Sequence, residues 1–288
     1  MLDQAEFALD DEEYQPKEEI LRLDNVLRER FGWPTRMDSV AQPYVIPKEE
    51  ITHKARLRFE VYSEIDVTGA ALAIEDAEVV KIVLNGETVP SVVTGWYVDK
   101  SIKTVALPEI KAGKNILEVE IPFGKSTNIE WCYILGDFGV RVNGRRCTIT
   151  PPVREVGFGD LSVQGLPFYG GNVTYHIDVE TDTDKLEVHA PQYRGALLGV
   201  GLNGEDRGRI IFAPYTITMD GCRKGKNTVD ITLYGSRVNT FGCIHNCNPG
   251  FFYHGPDCYR STGDEWTYNY VLQPTGLLIP PTIKKVIE

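Results

Sequence analysis

The sequence predicts an all-β fold, built as two tandem antiparallel β-sandwiches with one N-terminal amphipathic helix. Three observations predict it. Short apolar segments alternate with period two, as strands with one wet face do. Turn formers punctuate them, with 27 Gly and 17 Pro, and 14 Tyr, 11 Phe and 4 Trp supply the aromatic content that strands favour. Finally, a pair of turn landmarks occurs twice in the same order, about one sandwich length apart.

The elements follow in order. Leu2, Phe7 and Leu9 among acids read as an opening strand, so the chain starts in the middle of a strand pattern, as a fragment would. After Pro16, Lys17 to Phe31 places Ile20, Leu23, Leu27 and Phe31 on one helical face, with Glu18 and Glu19 at the positive end and Arg28 and Arg30 at the negative end. Gly32 and Pro34 stop it. Residues 1–39 are therefore expected to form a strand and a packing helix. A first sandwich is expected over 40–150. Arg56 to Tyr62 alternates, Val79 to Leu84 leads into an Asn85-Gly86 hairpin, and strands follow at 102–107, 116–121, 131–135 and 138–142. Thr150-Pro151-Pro152 breaks the pattern. A second sandwich is expected over 151–288, with strands near 171–180, 185–190, 196–202, 209–212, 215–219 and 228–234. After a Gly, Pro, Asn and Cys-rich loop, Tyr268 to Gln273 reads as a last strand.

Composition bounds the partners. A chain of 288 residues with 42% apolar and 25% charged residues has core enough for two domains. The net charge of −11 argues against nucleic acid. No apolar run approaches the roughly 20 residues of a membrane span, so no membrane partner is expected. The start lacks a basic head and an apolar signal core, which predicts a cytoplasmic location and cysteines that are mostly reduced.

The repeat is specific. Val83-Leu84-Asn85-Gly86-Glu87 is followed by Gly113-Lys114-Asn115 and an apolar strand. Gly201-Leu202-Asn203-Gly204-Glu205 is followed by Gly225-Lys226-Asn227 and another. With Ala213-Pro214-Tyr215 between its landmarks, the second copy resembles the galactose-binding-like jelly rolls of large bacterial glycoside hydrolases of the β-galactosidase and rhamnosidase kinds. Gly165 to Tyr175 and Tyr270 to Leu278 look like the first and last strands of such a domain. The resemblance covers the second sandwich well and the first more loosely. It implies a non-catalytic, carbohydrate-associated part that binds or positions saccharide beside a separate catalytic barrel, with that catalytic domain as a partner. Two alternatives stand beside it: a self-contained enzyme using sandwich-groove carboxylates, and a purely structural docking module.

A sugar site needs an apolar face for the ring and planar polar groups for its hydroxyls. The candidates are Trp96 and Tyr97 beside Asp99, Tyr193 with Arg194, Tyr215, and Trp266 after Asp264-Glu265. The resemblance adds His245, Asn246 and His254, ordering a loop at the edge of a sugar pocket. No catalytic residue is assigned, because no pair of acids is defensible from sequence. The Cys243 to Cys258 loop holds zinc-type ligands without paired Cys-x-x-Cys spacing, so it is expected to be ordered and metal-free. No cofactor is expected.

Overall fold

The computed structural model describes residues 1–35, 51–250 and 263–287. They form two compact units. The first comprises Met1–Pro152 and His245–Val271, and the second Val153–Ile244 and Leu272–Glu288. Both are mostly β, and every strand pair is antiparallel except one.

In the first unit the elements are β1 (Gln4–Leu9), β2 (Gln15–Glu19), α1 (Ile20–Arg30), β3 (His53–Ser63), β4 (Ala71–Glu75), β5 (Lys81–Leu84), β6 (Glu87–Val89), β7 (Val93–Tyr97), β8 (Asp99–Ala106), β9 (Gly113–Phe123), β10 (Tyr133–Leu135), β11 (Gly139–Asn143) and β12 (Arg146–Thr150). One sheet runs β11-β12-β3-β9-β5-β6, with β1 also on β3 and β2 on β1. A second runs β10-β4-β8-β7. The period-two pattern explains the burial: Ala55, Leu57, Phe59 and Val61 of β3 are buried while their neighbours are not, and β9 buries Leu117, Val119, Ile121 and Phe123 in the same way.

The edge of β3 opposite β9 is shared. β1 lies beside Ala55 to Arg58, and β12, the parallel exception, beside Tyr62 and Ser63. Phe59, Glu60 and Val61 have neither strand alongside, and this break in the sheet creates the cavity described below.

The helix is shorter than the stripe from Lys17 to Phe31 suggests. Glu18 and Glu19 still pair with β1, because Glu19 is the N-cap. Its backbone is extended, and its carboxylate accepts hydrogen bonds from the amides of Leu21 and Arg22, both at 3.0 Å. Ile20, Leu21, Leu23 and Leu27 are buried. The buried Asp24–Arg28 pair, 2.9 Å apart, directs the guanidinium to the carbonyl of Lys125 at 2.9 Å. Trp33 stacks on Phe31 and lies 5.6 Å from Phe123, as a plug against the core does.

The second unit contains β13 (Val173–Thr181), β14 (Lys185–His189), β15 (Tyr193–Arg194), β16 (Leu197–Leu202), β17 (Glu205–Ile210), β18 (Thr216–Asp220), β19 (Gly225–Tyr234), β20 (Gly276–Leu277) and β21 (Thr282–Lys285). Its sheets are β13-β19-β16-β17, β18-β14-β21 and β15-β20. Leu198, Val200, Leu202, Val229, Ile231 and Leu233 meet Leu186, Val188 and Met219 in one core. No strand forms over Tyr268 to Gln273. There the amide of Tyr270 bonds the carbonyl of Gly144 instead.

The repeated landmarks fold alike, atom for atom. Asn85 and Asn203 adopt φ of 53° and 52°, each followed by a glycine at φ 84°. The Asn85 side chain donates to Asn115 Oδ1 at 2.8 Å, and Asn203 donates to Asn227 Oδ1 at 2.9 Å. Asn115 and Asn227, each 1% exposed, then close the turn before them. Asn115 Oδ1 accepts from the Lys111 amide and its Nδ2 donates to the Lys111 carbonyl; Asn227 does the same with Arg223. A buried Asn must satisfy both ends of its amide, and here the satisfied amide joins two hairpins.

Candidate functional site

A cavity of about 410 Å³ opens in the first unit at the break along β3. Its walls combine apolar surface from Phe59, Val61, Phe138, Val140 and Ile149 with polar groups from Asp3, Lys17, Glu60, Tyr62, Arg145, Arg146, Cys147 and Tyr270. The β11–β12 hairpin brings the two arginines. Its Asn143-Gly144 turn has Gly144 at φ 60°, and the Tyr270 amide pins the Gly144 carbonyl at 3.0 Å.

The polar groups are held firmly. Glu60 receives the ammonium groups of Lys17 and Lys114 and, at 3.2 Å, the Tyr62 hydroxyl. Lys114 and then Lys17 hold its carboxyl far below the usual range, at about 2. Arg146 lies 3.6 Å over the Tyr62 ring and Arg145 4.5 Å over that of Tyr268. The Tyr268 hydroxyl bonds Glu18, which also pairs with Arg22. Burial pushes the Cys147 thiol up to about 11, which disfavours the thiolate.

Behind the cavity lies a buried ionic cluster. His245 Nε2 is 2.6 Å from Asp3 Oδ2, its Nδ1 faces the Thr267 carbonyl at 2.9 Å, and Tyr270 donates to Asp3 Oδ1. Burial pushes the imidazole's pKa down, but the hydrogen bond and charge of Asp3, joined by the charge of Glu19, outweigh it. His245 is therefore raised above its ordinary 6.5. Burial raises the carboxyl of Glu19 despite the hydrogen bond from Trp131 Nε1 at 2.6 Å.

The residues singled out from sequence fall in three places. Trp96 stands on β7, 56% exposed, with Tyr97 packed on Tyr133 at 5.3 Å, while Asp99 accepts from the Ser101 amide and hydroxyl. In the second unit Tyr193 meets Tyr215 edge-on at 5.8 Å and donates to the Ile210 carbonyl, and Arg194 is exposed. His245 belongs to the ionic cluster, Asn246 is buried and bridges Trp266, and Trp266 carries the Arg22 guanidinium at 4.2 Å. None of these lines the cavity. His254 lies outside the described residues. Among the described residues no three His, Cys, Asp or Glu side chains converge as a metal set, and no disulfide joins the described cysteines. No helix there is long and apolar enough to cross a membrane.

Sequence reasoning passed over Asp3, Tyr62, Arg145, Arg146 and Tyr270 as site residues, and Glu60 stood there only as one of many acids without a role. The one local signal was the pair of arginines directly after the Asn143-Gly144 turn.

No family model matches the chain, and no curated protein does. Among solved structures it is similar to a rhamnosidase of Novosphingobium sp. PP1Y, at 16% identity and a TM-score of 0.31 over 82% of this chain and 23% of that one. It is also similar to a beta-D-mannosidase of Dictyoglomus thermophilum, at 13% and 0.28 over 82% and 31%. An anti-sigma factor domain-containing protein of Clostridium clariflavum matches at 9% and 0.24 over 82% and 90%. The chain spans less than a third of the length of these two glycosidases.

Proposed function

We propose that the chain is a carbohydrate-associated accessory part of a bacterial glycoside hydrolase, and that it binds saccharide in the cavity of its first unit without reacting with it. The observation behind this reading is the cavity itself. It is of ligand size and joins apolar faces to a few fixed polar groups, which suits a sugar ring and its hydroxyls. Neither of its carboxylates is equipped for catalysis. Glycoside hydrolysis needs an acid kept protonated near neutral pH, whereas Glu60 is held ionised and both Asp3 oxygens are engaged. The likeness of both hairpin landmarks to galactose-binding-like domains supports the setting beside a catalytic barrel. Calorimetric titration with mono- and oligosaccharides tests the site: binding that Tyr62→Ala and Phe138→Ala weaken supports it, and binding that neither changes removes the cavity from the function.

One observation favours catalysis instead. Burial, with the charges of Asp76 and Asp99, raises the carboxyl of Glu75 on β4, in the sheet whose β7 carries exposed Trp96. Release of product from aryl glycosides, abolished by Glu75→Gln, would establish that second reading over the first.

A further inference from the structure

We propose that the saccharide bound in this cavity is acidic, a uronic acid whose carboxylate is gripped by Arg145 and Arg146. The inference rests on the saccharide reading above and narrows its ligand.

The described arginines of the first unit divide into two kinds. Arg22, Arg28, Arg30, Arg58 and Arg141 each pair with a carboxylate, and Arg56 donates to the carbonyl of Glu12. Arg145 and Arg146 have no such partner among the described residues, although the chain has acids to spare at a net charge of −11. Each lies instead over a tyrosine ring. Stacking occupies the face of the guanidinium and leaves its in-plane N–H groups free, and that fork matches a planar carboxylate. The ring also limits the rotamers, so less freedom is lost when an anion arrives.

The cavity's own acids do not compete for them. Glu60 is taken by two ammonium groups and the Tyr62 hydroxyl, and Asp3 by His245 and Tyr270. With both carboxylates taken up by their own partners, the two arginines bring positive charge to the cavity that no lining acid offsets. A hexuronic acid differs from its parent hexose by a carboxylate in place of the C6 hydroxymethyl. The ring can therefore use the apolar wall while the carboxylate meets the guanidinium groups.

The test is a titration of the full chain with D-glucuronic and D-galacturonic acid against D-glucose and D-galactose, at low and at high salt. We expect the uronic acids to bind about tenfold tighter or better, as charge-assisted bonds should give, and the advantage to shrink with salt. Arg145→Gln and Arg146→Gln, with folding checked by thermal melting, should each remove most of it, and Arg146→Lys should restore only part. Equal affinity for acidic and neutral sugars overturns the acidic ligand and leaves the saccharide site standing. A preference for uronic acids that survives Arg145→Gln/Arg146→Gln overturns the assignment to these residues. Binding of none of the four sugars overturns this inference, and the saccharide reading falls with it when no other mono- or oligosaccharide binds either.

Discussion

His245 Nε2 lies 2.6 Å from Asp3 Oδ2 across 242 positions of sequence, with side chains 4% and 2% exposed. This contact ties the segment that begins at His245 to the residue just before β1 of the same unit. Asp3 serves it twice over, since its carbonyl also accepts the Ile20 amide at the start of α1.

Removing one member of that pair leaves a buried charge alone. His245→Leu or Asp3→Leu should destabilise the first unit by about 3–5 kcal/mol. The double replacement should cost less than the two singles added. Urea unfolding of all four chains measures this, and additive losses would show that the two groups are not coupled.

The same pair gives the first unit an alkaline-sensitive limb. His245 titrates at higher pH in the folded chain than in the unfolded one. The folded state therefore holds more protons above pH 6.5, and stability falls as pH rises through the folded value. Its contribution is fully present below 6.5. Unfolding midpoints from pH 6 to 9 should drop in the wild type, and the slope should flatten in His245→Gln.

Glu60 acts with the opposite sign. Its carboxyl is depressed to about 2 from an ordinary 4.5. The stabilisation is present above 4.5 and is lost as pH falls toward 2. Glu60→Gln should reduce the acid slope between those values while leaving the alkaline limb unchanged. Acid titration followed by tyrosine and tryptophan fluorescence checks both.

Asn115 and Asn227 should be equivalent in their own units. Asn115→Ala and Asn227→Ala each remove the buried amide that closes the preceding turn, at Lys111 and Arg223. Each should cost about 1–3 kcal/mol, read in the first unit for one and in the second for the other by hydrogen exchange. Protection lost in neither unit would deny the amides this role.

Much of the fold was legible because its causes are local. The period-two alternation of β3, β9 and β19 needs only neighbouring residues to show which face is buried. The Asn-Gly and Gly-Lys-Asn turns announce themselves because few other residues accept their backbone conformations. The helix stripe was equally plain, but its start was not: whether Lys17 to Glu19 join a helix or a strand depends on β1 being present to pair with them.

The candidate site was not legible, for a physical reason. Its polar groups come from Asp3, Lys17, Glu60, Arg145, Arg146 and Tyr270, and apart from the adjacent arginines no spacing relates them. Asp3 and Tyr270 read alone as a surface acid and a strand aromatic. Only tertiary structure buries Asp3 and brings the Tyr270 hydroxyl to it as a hydrogen-bond donor. The sequence by itself determined where strands alternate, where hairpins turn and that two such patterns repeat. Tertiary structure decided that β1 and β12 divide one edge of β3, that the gap between them is a cavity, and that two arginines face it without a carboxylate partner among the described residues.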